Sequence, residues 1–176
     1  MNDIESRLIK GNKQFIDKVK NNPNYKTTVK KLVNGQSPYA IVLTCSDSRV
    51  VPEEIFSSFL GELFVIRSAG NVVNDGELAS VEYGIKHLNI KYVLVLAHTH
   101  CGAIHATIKN EKGEYIGYIL DIISKQIHSE QDEVKASELN ALGQVKYLKE
   151  KFPDYDGVIK AGIYDIEDCS FRFLGE

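Results

Sequence analysis

The stretch 91-KYVLVLAHTHCGAIH-105 changes character halfway along. Tyr92 to Ala97 is an unbroken apolar run, the pattern of a strand buried on both faces. It then passes directly into His98, Thr99, His100 and Cys101. A strand covered on both faces belongs to a mostly parallel sheet flanked by helices, so this run points to an α/β fold. Three other runs read as strands of the same kind: Tyr39 to Thr44, Leu63 to Arg67 and Val158 to Tyr164. Helical patterns lie around them. In Glu77 to Leu88, the residues Leu78, Val81, Ile85 and Leu88 recur at spacings of three and four after a turn signal at Asn74-Asp75-Gly76. Ser137 to Lys151 carries Leu139, Leu142, Val145 and Leu148 as one apolar stripe. The N-terminal segment reads as helix through Ile4, Leu8, Phe15 and Val19, weakened at Gly11 by about 1 kcal/mol. Asn21 to Asn24, with Pro23, breaks it.

At 176 residues and 43% apolar, the chain is sized for one globular domain with a real core. Its formal charge of −3 mixes both signs throughout, which argues against a nucleic-acid partner. The N-terminus has early acids and no apolar leader core, and no apolar run approaches the ~18 residues of a membrane span. The expected location is the cytoplasm, with no membrane partner. The three cysteines, at 45, 101 and 169, are odd in number and far apart, which suits reduced thiols or metal ligands better than a disulfide framework.

In open α/β sheets the ligand crevice lies beyond the carboxyl ends of the strands, where strand order reverses. Two of the expected strands end in reactive residues there. The first runs into 45-CSDSR-49, the third into 98-HTHC-101. If those strands are neighbours, Cys45 sits opposite His98, with Cys101 three residues further at the start of a helix. Two thiolates and an imidazole suit zinc, and three protein ligands leave a fourth position open. Taken singly, a Cys or a His at the end of a buried strand is as readily a core residue or a satisfied polar group. His100 and His105 read as solvent-facing or structural, and Cys169, in a polar segment, as a free thiol. Asp47 and Arg49 are placed to form a forked ion pair, in which the Asp accepts a hydrogen bond from a metal-bound water and the Arg keeps that Asp off the ion.

Together, CSDSR and the later His-x-x-Cys-Gly-Ala resemble the β-class carbonic anhydrases, whose pattern is Cys-x-Asp-x-Arg followed by His-x-x-Cys. The likeness runs through LIKGNKQF (8–15), GELFVIR (61–67), SAGN (68–71), SVEYG (80–84) and GIYD (162–165). The resemblance implies a single domain over residues 1–176, with residues 1–35 as an N-terminal helical arm. It implies one Zn2+ per chain on Cys45, His98 and Cys101, with Asp47 and Arg49 as the catalytic dyad. Gln36, Phe64 and Tyr83 would surround the substrate, with the backbone near Gly102 helping to orient its oxygens. The implied reaction is reversible hydration of carbon dioxide to bicarbonate and a proton, by attack of zinc-bound hydroxide. The implied assembly is a homodimer or a higher, even-numbered oligomer whose pockets take their Gln, Phe and Tyr from the partner.

A family subtype whose Asp can swing onto zinc carries a Trp where this chain has Val42, and the chain has no Trp, so the open subtype is expected. Ser68 in place of the family's Asn, Ala97 in place of a frequent Gly, and Thr44 before Cys45 are departures that bear on substrate and rate more than on metal binding. Two other readings remain. One is hydrolysis of carbonyl sulfide or carbon disulfide on the same zinc. The other is a non-catalytic zinc or redox-sensing protein in which Cys169 closes a four-ligand site.

Overall fold

The computed structural model describes residues 3–175, in two compact units that divide between Ser37 and Pro38. The first holds α1 (Asp3–Asn21) and α2 (Pro23–Leu32). Pro23 does end the first helix, but it also starts a second that the sequence reading did not foresee. Proline lacks only an N–H that the first helical turn leaves unused, and the Asn22 side chain caps that turn by accepting from the backbone of Asn24 and Tyr25. Phe15 meets Tyr25 edge to face, tying the two helices together.

The second unit is an α/β sandwich around a five-stranded sheet. Its elements are β1 (Ala40–Cys45), α3 (Pro52–Ile55), β2 (Leu63–Ser68), α4 (Asp75–Lys86), β3 (Tyr92–His98), α5 (Gly102–Ile108), α6 (Ile116–Ile127), α7 (Glu133–Lys151), β4 (Val158–Tyr164) and β5 (Phe171–Leu174). Strand order is β2-β1-β3-β4-β5, with the first four parallel and β5 antiparallel on the edge. The chain leaves β1 for β2 on one side, then crosses back to place β3 on the other. Strand order therefore reverses between β1 and β3, paired through Ile41↔Val93 to Thr44↔Leu96. Both strands are buried along nearly their whole length, as their apolar runs require. Within the sheet the Thr44 hydroxyl is also satisfied, donating to the carbonyl of Leu96 at 2.9 Å.

Helix ends follow capping chemistry more closely than apolar spacing. The expected turn at Asn74-Asp75-Gly76 is the start of α4. Asn74 accepts from the Gly76 N–H, while the Glu77 carboxylate accepts from the Asn74 N–H, a capping box that begins the helix ahead of its first apolar residue. In α7 the stripe read from the sequence is corrected. The buried face is Ala136, Ser137, Asn140, Ala141, Gln144, Val145 and Leu148, while Leu142 is exposed and Leu139 only half-buried. Small alanines let the helix approach the sheet closely, and the two amides are buried because each finds hydrogen-bond partners there. A rule that turns polar residues outward finds Val145 and Leu148 but misses the rest of that face.

This rotation of α7 has a measurable consequence. Leu148→Ala should lower the free energy of urea unfolding by about 2–5 kcal/mol, as for a fully buried leucine. Leu142→Ala should change it by no more than about 0.5 kcal/mol. Similar losses from the two would restore the leucine stripe.

Candidate metal and catalytic site

Cys45 is the last residue of β1 and His98 the last of β3. Because these strands lie side by side and parallel, both side chains emerge at the same end of the sheet, at its reversal point. Cys101 follows as the N-cap residue of α5. The three ligand atoms all lie within 4.8 Å of one another, and all three residues are buried.

The donors in this group suit a cation. His98 Nδ1 lies 2.8 Å from the Thr99 carbonyl, which can only accept, so Nδ1 carries the proton and Nε2 presents its lone pair. That Nε2 is buried with no hydrogen-bond partner in the protein. A buried polar atom left unpaired is costly, and a cation bound at this point would remove the cost. The two thiols interact strongly. Cys45 is pushed down from the ordinary thiol value, first by a hydrogen bond from Cys101, with His98 and the backbone N–H groups of Asp47 and Gly70 adding to it against the opposing effect of burial. Cys101 is pushed up, first by its hydrogen bond with Cys45 and then by burial. Ionisation of one thiol thus opposes ionisation of the other. A soft divalent ion would let both ionise, and two thiolates with an imidazole make a donor set that zinc favours.

Asp47 and Arg49 form the expected fork. Arg49 Nε donates to Asp47 Oδ1 at 2.9 Å and a terminal guanidinium nitrogen to Oδ2 at 2.8 Å, while the Arg49 backbone N–H also reaches Oδ1 at 2.9 Å. These bonds hold the Asp47 carboxyl well below the usual carboxylate range, and His98 contributes in the same direction. The same guanidinium donates to the His100 carbonyl at 3.0 Å, bridging the loop after β1 to the loop after β3. His100 turns that carbonyl from a left-handed backbone conformation, at φ 56°.

Sequence reasoning passed over Arg67, the charge near the end of β2. Its side chain donates to the carbonyls of Cys45 at 3.2 Å, Asp47 at 2.9 Å, and Val50, and so grips the whole CSDSR loop by its backbone. A lone arginine closing an apolar strand was the available signal. The Gly70 N–H points at Cys45 Sγ from 3.3 Å. Gly70 has φ +63°, and a Cβ there would lie 2.7 Å from the Ile123 side chain, so both the conformation and the space call for glycine.

The other expected site residues are distributed more widely. Phe64 and Tyr83 pair across β2 and α4 with ring centroids 6.1 Å apart, and Tyr83 is 46% exposed, unlike a core residue. His87 stacks on the outer face of Tyr83. Gly102 opens α5 directly after Cys101. Gln36 falls in the N-terminal unit. His100 and His105 are exposed and bond to Glu167 and Glu133. Cys169 is exposed and outside the Cys45–His98–Cys101 group.

With this geometry in hand, comparison with known proteins places the chain. Residues 40–156 match the family model described as carbonic anhydrase, and the chain belongs to the β-class of that family. It is 42% identical over 109 residues to a carbonic anhydrase of Synechococcus elongatus, covering 58% of this chain and 39% of that protein. It is 36% identical over 121 residues to carbonic anhydrase 2 of Mycobacterium tuberculosis, covering 67% of this chain and 58% of that one. The chain thus spans roughly half the length of these curated relatives. Among solved structures, the β-carbonic anhydrase CafA of Aspergillus fumigatus superposes with a TM-score of 0.86 at 25% identity, over 98% of this chain and 91% of that one.

The burial pattern makes a direct prediction for thiol chemistry. Of the three cysteines, only Cys169 is exposed, so titration of the native chain with an aromatic disulfide reagent should show one fast thiol. Cys169→Ser should abolish the fast phase. A fast phase surviving in that variant would mean that the strand-end pair is open to solvent.

Proposed function

We propose that this chain is a zinc-dependent carbonic anhydrase that reversibly hydrates carbon dioxide to bicarbonate and a proton. The observation that carries the reading is the buried cluster of Cys45, His98 and Cys101 with an unpartnered imidazole nitrogen, adjoining the Asp47–Arg49 fork. Cys45, His98 and Cys101 are the residues that would hold the ion. A zinc ion held there would supply hydroxide by lowering the pKa of a coordinated water toward neutrality. Asp47 can only accept hydrogen bonds, and it orients the reacting water. Arg49 occupies both carboxylate oxygens and keeps Asp47 out of the ligand set, which supports the open subtype. Gln36, Phe64 and Tyr83 make the substrate wall, and the backbone at Gly102 helps orient the product oxygens. Carbon dioxide is small and apolar, so an apolar wall with one amide donor suits it. No helix among the described residues is long and apolar enough to cross a membrane.

Purified chain should carry about one zinc. Cys101→Ser should lose it, and Cys169→Ser should retain it, because only the first removes a thiolate from the ligand set. In stopped-flow assays Asp47→Asn should slow hydration by about 10² while zinc stays bound. Full zinc in Cys101→Ser would refute the ligand set, and an unchanged rate in Asp47→Asn would leave the fork a structural ion pair. Running carbonyl sulfide and carbon disulfide in parallel tests whether another heteroallene is the better substrate.

Solved neighbours include tetrameric β-carbonic anhydrases of Sordaria macrospora, and we read this chain too as a dimer or higher assembly whose Gln36 serves the partner's zinc. Hybrids of Cys45→Ser and Gln36→Ala chains would then regain one pocket with both zinc and a native Gln. A reassociated mixture should therefore exceed the mean activity of its parents. Activity at that mean, with hybrids confirmed, would place Gln36 in its own subunit's pocket.

A further inference from the structure

Two buried side chains outside the catalytic group have no counterpart in the proposed chemistry. Asn140 and Gln144 lie one turn apart on α7, effectively without solvent exposure, in a face that otherwise packs apolar and small residues. Burying two primary amides is unfavourable unless every donor and acceptor is used. Here they form a chain of three bonds. The Val73 backbone N–H donates to Gln144 Oε1 at 3.1 Å, Gln144 Nε2 donates to Asn140 Oδ1 at 3.1 Å, and Asn140 Nδ2 donates to the Gly70 carbonyl at 2.8 Å. Both ends are backbone groups whose roles cannot be exchanged, an N–H at Val73 and a C=O at Gly70. That settles the orientation of both amides. The pair therefore spans the turn from residue 70 to 73 and grips it at both ends. On its other side the same turn presents the Gly70 N–H to Cys45 Sγ at 3.3 Å.

We infer that Asn140 and Gln144 are positioning residues of the metal site, clamping the Gly70–Val73 turn from behind so that the Gly70 N–H stays on the sulfur of Cys45. The inference rests on the reading of Cys45 as a metal ligand. An N–H bonded to a metal thiolate withdraws electron density from sulfur and so tunes the bound ion. Gly70 cannot hold that direction unaided, since glycine samples backbone conformations on both sides of φ = 0. Within the turn the Val72 N–H donates to the Ala69 carbonyl and the Ser68 hydroxyl to the Val72 carbonyl, while the α7 amides add directional bonds at Gly70 and Val73, which apolar packing cannot supply.

The test uses the full chain with Co2+ in place of zinc, because cobalt bound to thiolate gives a sulfur-to-metal charge-transfer band. Asn140→Leu keeps the approximate volume and removes the bond to Gly70. Gln144→Met keeps the length and removes the bond to Val73, leaving Asn140 on Gly70, and it decides the question if the first variant does not fold. Ser137→Ala, on the same buried face but bonded only within its own helix, to the Glu133 carbonyl, controls for general loosening. In Asn140→Leu the band should move to longer wavelength, because the sulfur is more electron-rich without its hydrogen bond. Amide exchange across residues 70–73 should quicken about tenfold. Gln144→Met should move both readings in the same direction by less, and Ser137→Ala neither. Wild-type band position and exchange in both amide variants would overturn the clamp, as would an equal band shift in Ser137→Ala. A wild-type chain that gives no thiolate band with Co2+ would overturn the ligand reading and the inference with it, and this is seen before any substitution is made.

Discussion

The parallel pairing of β1 with β3 is the constraint on which the rest of the molecule depends. One crossover out to β2 and a second one back leave these two strands adjacent and parallel, with their carboxyl ends on the same edge of the sheet. No helix can cover the gap that opens where the connections diverge. Cys45 and His98 occupy the two lips of that gap, and Cys101 caps the helix leaving one of them. The donors meet because the sheet topology brings their backbones together, so the buried core of the sheet is also the rigid mount of the site.

The site concentrates what the rest of the fold avoids. Elsewhere among the described residues most buried polar side chains are paired, as Thr44 is to the Leu96 carbonyl, the exception being the Asn71 side-chain nitrogen. At the strand ends an imidazole nitrogen has no protein partner, and two buried thiols push each other's acidity in opposite directions. Around them lies a dense set of directional bonds. Arg67 grips the carbonyls of Cys45, Asp47 and Val50, Arg49 joins that loop to the His100 carbonyl, and the α7 amides hold the turn that touches Cys45. The strained or unsatisfied groups sit inside a shell of satisfied ones, which is how a folded chain maintains an otherwise unfavourable arrangement.

Most of the sheet was legible in the sequence because four of its strands read as apolar runs, although only β1 and β3 are buried nearly throughout and β2, on the other edge, is mostly half-buried. β5 was not legible. Its four residues, Phe171 to Leu174, lie on an edge and alternate too briefly to register. Nor was α6 (Ile116–Ile127) read, although its apolar residues are dense, and α2 was hidden behind a proline taken only as a stop. The strand-end cluster was legible because reactive residues stood where apolar runs ended. Arg67, Asn140 and Gln144 were not, for a common reason: each acts on backbone atoms far away in sequence. Local pattern carries no trace of a bond from residue 140 to residue 70. The misread face of α7 follows from the same limit, since polarity there marks long-range pairing and not solvent.

Arg67 also bears on how much sequence change the active loop can absorb. Its three bonds end on main-chain carbonyls, which every amino acid supplies alike. The path of the loop is thus set independently of the side chains at Ser46 and Ser48, both of which are exposed. Those two positions are free to drift, and with them the surface chemistry at the mouth of the site, while the positions of Cys45 and Asp47 stay put. Variation in what reaches the ion is thereby uncoupled from the geometry that would hold it.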